Sequence, residues 1–211
     1  MTTPELTVLV LAKAPVPGLS KTRLAPAFGL QGAAILAAAA LADTLDAVAA
    51  TPAARRVLVL AGEPTPPLPA GFEVVPQVEG GHAERIAAAF EHASGPALLI
   101  GMDTPQVTPE LLSLDLSRPA TAWLGPALDG GWWALGLRDP LGHARRVLAG
   151  VPMSTPITGR LQHRRLVGTG LTVAHLPLLR DIDEPADAFA VAAQAPGTQF
   201  ARALATLKGA A

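Results

Sequence analysis

A short acidic knuckle, Ile100-Gly101-Met102-Asp103-Thr104-Pro105, closes the apolar run Pro96-Ala97-Leu98-Leu99-Ile100. The run is continuous rather than alternating and is bounded by Gly and Pro, the pattern of a strand buried on both faces of a parallel sheet. A carboxylate just past such a strand lies at the carboxyl edge of the sheet, where open α/β sheets bind ligands. Asp103 has no neighbouring base in the sequence to pair with. A short, hard oxygen donor in that place suits Mg²⁺ or Mn²⁺, which bind through one or two carboxylates plus substrate phosphates. The plainer alternative is that Asp103 caps a helix starting near Thr108.

Four further segments carry chemistry. Ala12-Lys13-Ala14-Pro15-Val16-Pro17-Gly18-Leu19-Ser20-Lys21-Thr22-Arg23-Leu24 follows the first predicted strand, so it opens at the same edge as Asp103. Its cations and stiff backbone can meet phosphates, although the glycine spacing is not that of a Walker A loop and ordinary surface cations are the alternative. In Asp129-Gly130-Gly131-Trp132-Trp133 two glycines allow a close backbone approach to a ligand. A Trp there can stack on a base or sugar, and strand alternation sends the pair to opposite faces. In Arg180-Asp181-Ile182-Asp183-Glu184-Pro185 alternation puts Asp181 and Asp183 on one side with Ile182 buried. Asp183 then reads either as a metal ligand or as the N-cap of a Pro-initiated helix. Met153-Ser154-Thr155-Pro156 reads as a capped helix start, with a Ser154 contact to an acceptor as the other option. The five histidines show no metal-ligand spacing and are assigned to the surface or to helix ends.

The elements that must position these groups alternate. Strands are expected at Leu6 to Ala12, Arg56 to Ala61, Phe72 to Pro76, the run ending at Gly101, Thr121 to Leu124, Trp132 to Leu137 and Leu171 to Leu176. Helices are expected at Gln31 to Ala50, His82 to Ser94, Pro109 to about Leu116, Arg138 to Ala149, Thr155 to Leu166, and from Pro185 onward with a break at Pro196-Gly197. Asp43 and Asp46 fall on the polar side of the first helix. Glu63 to Gly71, with four prolines, is a loop. Alternating strands and helices predict an α/β layer architecture with a mostly parallel sheet. No linker divides the 211 residues, so one domain over 1–211 is expected.

Composition narrows the function. The net charge of −1 shows no footprint for nucleic acid or an anionic membrane. The absence of cysteine excludes disulfides, thiolate catalysis and cysteine-bound metals and fits a cytoplasmic protein. The longest apolar stretch, Gly32 to Ala42, is too short to span a bilayer, and the N-terminal apolar segment reads as a strand rather than a signal peptide.

Taken in order, the Lys13-to-Leu24 loop, Gly101-Met102-Asp103-Thr104-Pro105, Gly125-Pro126 with Asp129-Gly130-Gly131, Ser154-Thr155-Pro156 and Asp181-Ile182-Asp183 resemble the bacterial GT-A-like transferases. These are also known as radical-SAM/selenodomain-associated transferases or nucleotide-diphospho-sugar transferases. The resemblance covers nearly the whole chain. More distantly, the pattern is similar to nucleotidyltransferases acting on molybdopterin or phospholactate. It implies a GT-A fold, a Rossmann-like sandwich with a divalent metal. By position it makes Lys21 the phosphate-contacting catalytic lysine, with Arg23 and Lys13 as helpers. It makes Asp103 a metal ligand, with Asp183 completing the site and Asp181 near. Asp129 is the candidate general base; Gly130, Gly131, Trp132, Trp133 and Ser154 fall on the acceptor side. Two departures stand out. Tryptophans replace the family's usual tyrosines, and Gly80-Gly81-His82-Ala83 lacks the family's acidic residue while Glu84 and Arg85 match.

The expected activity is a Mg²⁺- or Mn²⁺-dependent transfer from a nucleotide-diphospho-sugar to a small-molecule acceptor. The alternatives are nucleotidyl transfer from an NTP to a phosphorylated acceptor, and a nucleotide-binding module without catalysis.

Overall fold

Apolar β-branched and leucine-rich runs make the centre of the molecule a seven-stranded sheet in a computed structural model that describes residues 6–64 and 68–209. The strands are β1 (Thr7–Lys13), β2 (Arg55–Ala61), β3 (Phe72–Pro76), β4 (Ala97–Gly101), β5 (Ala122–Pro126), β6 (Trp132–Leu137) and β7 (Val173–His175). Their order is β3-β2-β1-β4-β6-β5-β7. The chain winds from β1 outward to β3, then returns to place β4 on the other side of β1. The carboxyl ends of β1 and β4 therefore flank a topological switch point, where such sheets form a crevice. Leu11 pairs with Gly101 there, so the loop after Lys13 and the knuckle holding Asp103 leave the sheet side by side.

The sheet is mostly parallel, and β6 is the exception, antiparallel to both β4 and β5. Ala134 pairs with Ile100, so the start of β6 lies at the carboxyl edge of β4. That reversal brings the turn 127–131 and Trp132 to the switch point. After β7 the chain bridges Ala127 through Leu179, and Ile182 N–H then donates to Asp103 O (2.9 Å). Residues 180–184 reach the edge of β4 by that route.

The helices are α1 (Ala25–Ala50), α2 (His82–Phe90), α3 (Pro109–Leu112), α4 (Pro140–Leu148), α5 (Thr158–Gly168), α6 (Pro185–Gln194) and α7 (Gln199–Gly209). They cover both faces of the sheet. On one face α2 and α4 bury Ile86, Phe90, Val147 and Leu148 against β1, β2, β4 and β6. On the other, α1 packs Ala37, Leu41, Leu45 and Val48 on the sheet and turns Ala33, Leu36 and Ala40 to α6 and α7. A helix covered on two sides needs two apolar faces, which is why α1 has no polar stripe. By length and composition the helical stretch Thr22–Ala50 could cross a membrane, and here it is built into the core.

Several expectations need correction. The helix from Pro109 stops at Leu112, because Ser113 is already extended and Asp115 forms its own turn with Ser117. Thr108, not Asp103, caps it. The loop Glu63 to Gly71 lies partly outside the described residues. Asp43, on the polar side of α1, also serves a second helix: its carboxylate accepts from Gln199 N–H and Phe200 N–H (both 2.8 Å), capping α7. Asp43→Ala leaves those two donors without their acceptor. The expected loss is about 1–2 kcal/mol of stability, read by urea unfolding, whereas Asp43→Asn retains most of it.

Candidate active site at the β1/β4 switch point

The first wall of the site comes from the β1 loop. Lys21 sits in the left-handed region at φ 49° and starts the helical turn Thr22–Leu24. Its side chain is only 11% exposed. The ammonium pairs with Asp103 Oδ1 (2.9 Å) and Asp183 Oδ1 (3.3 Å), and donates to Ile182 O. Burial works to lower its pKa, but the two carboxylates more than offset this and hold the amine above its ordinary value. Arg23 is 70% exposed and reaches Asp183 Oδ2 (3.1 Å). Arg23 opens on the cleft, while Lys21 is enclosed behind the two carboxylates. Lys13, the last residue of β1, is exposed and does not line the cleft.

The acidic wall is the second. One carboxylate oxygen each from Asp129, Asp181 and Asp183 lies within 4.8 Å of the others. Three hard anionic oxygens at that spacing match the donor set of Mg²⁺ or Mn²⁺, so the residues fit a divalent ion. Burial, with the Asp129 and Asp183 charges adding to it, pushes the Asp181 carboxyl up to about 6. This trio differs by one member from the expected set of Asp103, Asp183 and Asp181. Asp181 and Asp183 are shared, Asp103 stands outside the cluster and pairs with Lys21, and Asp129 joins the ligand candidates rather than standing apart as a base. Asp183 is not the cap of α6. That role belongs to Glu184, with Asp187 accepting from Glu184 N–H (3.0 Å) in a capping box.

The third wall is apolar. Leu11, Ile86, Leu99, Trp132 and Met153 line a cleft of about 670 Å³ together with the acidic residues. Trp132 and Trp133 point to opposite faces, as a strand requires. Trp132 is half-buried against the α2/α4 core and borders the cleft. Trp133 is 4% exposed in the α1-side core, its indole N–H donating to Pro177 O (2.9 Å).

Gly130 serves a different purpose from the one expected. At φ 88° a Cβ there would meet Pro156 O at 2.0 Å, so the glycine admits the neighbouring loop rather than a ligand. Gly131, not Gly130, lines the cleft, and its N–H donates to Asp129 Oδ1 (2.7 Å). Ser154 lines the cleft in a left-handed conformation (φ 58°) and caps nothing; α5 begins later, at Thr158.

The sequence reading missed His82, Met153, Thr155, Glu184 and Asp187 as lining residues. The first residue of a helix that opens at the sheet edge was a usable signal for His82. Burial and Arg85 lower its pKa, opposed by Asp103. Glu84 and Arg85 serve the turn before α2: Glu84 Oε2 accepts from Gly81 N–H (2.7 Å) and Arg85 Nε donates to Gly80 O (3.0 Å).

Fold and site together define the GT-A class of nucleotide-using transferases. The chain belongs to the bacterial family described as uncharacterized proteins conserved in bacteria (DUF2064), whose model matches residues 35–155. No curated protein matches it. Among solved structures, the chain is similar to a candidate nucleotide-diphospho-sugar transferase from Desulfovibrio desulfuricans (25% identity, 86% of this chain and 83% of that one, TM-score 0.75). It also shares its fold with a nucleotidyl transferase from Methanothermobacter thermautotroptrophicus (16% identity, 93% and 98%, TM-score 0.62). A third match is Rv0371c of Mycobacterium tuberculosis in complex with manganese (20% identity, 90% and 98%, TM-score 0.51). The expectation of a transferase of this fold agrees with these relatives.

Two outcomes follow from the geometry. Trp133→Ala removes a buried ring and its hydrogen bond, for a loss of about 3–5 kcal/mol. Trp132→Ala costs far less, and the comparison is made by urea unfolding of both variants. The second concerns Asp181, whose folded pKa of about 6 lies above the ordinary 3.8. The folded state holds that proton more tightly, so its stabilising effect is complete below the lower value and lost as pH rises through the higher one. In chelator-treated protein, Asp181→Asn should therefore gain stability over the parent across that window, the difference levelling off above it.

Proposed function

We propose that this protein is a divalent-metal-dependent glycosyltransferase using a nucleotide-diphospho-sugar donor. The observation that carries the reading is the convergence of the Asp129, Asp181 and Asp183 carboxylates with Arg23 on one cleft at the switch point. In this reading the three carboxylates hold Mg²⁺ or Mn²⁺. The ion, when bound, offsets the charge that develops on the departing diphosphate.

The chain's own residues divide the remaining work. Arg23, exposed at the cleft, places its guanidinium against the phosphates in the bidentate manner of such groups. Lys21 acts behind it, fixing Asp103 and Asp183 and supplying positive potential where the leaving group gains negative charge. Lys13 has no part. Trp132 and Ser154 border the acceptor end. During transfer the bond from the sugar's anomeric carbon to the diphosphate oxygen breaks and the diphosphate leaves with the bonding pair, a bond from the acceptor oxygen to that carbon forms, and the acceptor's proton passes to solvent water at the open cleft. Asp129 is more useful here as a ligand than as the group that accepts the acceptor's proton.

Transfer of a nucleotidyl group to a phosphorylated acceptor is the competing reading. One observation favours glycosyl transfer. Among the described residues lining the cleft, Arg23 is the sole Lys or Arg, and it already serves the donor. An acceptor phosphate would have no arginine or lysine of its own. The likeness to the Desulfovibrio protein supports the same choice.

The test is a product assay with Mn²⁺ and a panel of nucleotide sugars and NTPs. Release of nucleoside diphosphate supports the reading; release of pyrophosphate from an NTP replaces it with nucleotidyl transfer. Asp181→Asn and Asp183→Asn should abolish Mn²⁺-dependent stabilisation by nucleotide in thermal-shift measurements. Retention of the full shift in both would remove the metal assignment.

A further inference from the structure

The net charge of −1 conceals a strong asymmetry. All 17 Asp and Glu residues lie outside residues 140–179, and that stretch carries five arginines and three histidines. It folds into α4, α5 and β7, with the two helices joined side by side. Gln162 Nε2 donates to Val147 O (2.9 Å) and Arg165 Nε to Arg146 O (3.0 Å). Arg145 is engaged by Glu91. Arg160 and Arg164 are exposed and make no ion pair or hydrogen bond among the described residues.

Helical spacing places Ile157, Arg160, Leu161, Arg164 and Val167 on one side of α5. Ile157 is 42% and Val167 52% exposed. Between this side of α5 and the segment after α4 lies a hollow of about 630 Å³, lined by Val151, Pro152, Leu161, Arg164 and Arg165.

Arginines alone would suit any polyanion. Exposed aliphatic side chains between them gain only from an apolar medium, while arginine stems lie along such a medium and keep their heads at its polar boundary. A nucleic acid backbone offers the charge but not the apolar phase, and the face carries no Phe or Trp to stack on bases. We propose that the α4–α5 face docks on an anionic phospholipid surface, with the hollow seating a headgroup phosphate beside Arg164 and Arg165. The total charge shows no such footprint, but a surface responds to local charge. Met153 to Thr158, which leads into α5, is also a wall of the cleft. Docking therefore holds the cleft beside the interface, and it does so whatever group the cleft transfers.

The experiment is co-sedimentation of the full chain with vesicles of phosphatidylcholine alone or mixed with phosphatidylglycerol, at low and high salt. Circular dichroism checks each variant's fold. The parent should sediment with the mixed vesicles at low salt, be released by high salt, and ignore phosphatidylcholine alone. At about fivefold per lost charge, Arg160→Gln with Arg164→Gln should lower the partition roughly 25-fold, whereas the corresponding Lys pair should retain it. Ile157→Ser with Val167→Ser should lower it as well. No sedimentation with the mixed vesicles at low salt overturns the proposal, as does an unchanged partition of the Gln pair. A DNA duplex that binds as tightly as the vesicles, together with no effect of the Ser pair, also overturns it and makes the face a general polyanion surface.

Discussion

One ammonium group joins the three chain segments of the site. Lys21 Nζ lies between Asp103, which follows β4, and Asp183, which follows β7, and it also holds Ile182 O. Two unit charges about 4 Å apart interact by about 4 kcal/mol at an effective dielectric of 20. Bringing Asp103, Asp129, Asp181 and Asp183 to one sheet edge is therefore costly unless a cation is built in among them. The amine is nearly buried, whereas Asp103 and Asp183 are 43% and 39% exposed. The arrangement thus lies between a surface pair, worth little, and a buried one, costly to break. Among the described residues neither Asp129 nor Asp181 makes an ion pair, and burial, with the Asp129 and Asp183 charges adding to it, pushes the Asp181 carboxyl up to about 6.

The sheet explains why these groups meet. Because β1 and β4 are parallel neighbours wound in opposite directions, their loops open side by side. Because β6 runs the other way, its first residues, not its last, stand at that edge. Trp132 then closes the apolar side of the cleft and Trp133 anchors the strand to the opposite core. The Gly130–Pro156 contact fixes the turn carrying Asp129 against the loop carrying Ser154, and Gly159 N–H donates to Gly130 O (2.8 Å) to hold it there. Backbone junctions between loops thus add to the Lys21 ion pairs in holding the site together.

Charge is segregated on two scales. Within the cleft acidic side chains and apolar ones line a single space together with Arg23. Across the molecule, an arginine-rich α4–α5 face balances acids gathered elsewhere, so that the total comes close to zero. A near-neutral total is compatible with strong local fields.

Much of the fold was legible in the sequence because its signals are local. Short runs rich in apolar, β-branched and aromatic residues marked β3 and β6 to the residue and the other strands to within a few positions. Asp103, Asp181, Asp183, Arg23 and the Trp pair were marked by their places at strand and helix ends. The short α3 was overextended because the turn made by Asp115 competes with the helix through its own side chain. What the sequence could not decide is which carboxylate meets which partner. Lys21 and Asp183 are 162 positions apart, and Asp129 joins Asp181 only because an antiparallel β6 turns the loop before it to the switch point. Strand direction and loop-to-loop packing are tertiary choices, set by how the whole sheet is wound. They made Lys21 an enclosed tie rather than an open phosphate contact, moved Gly130 from ligand approach to loop junction, and gave each tryptophan its side of the sheet.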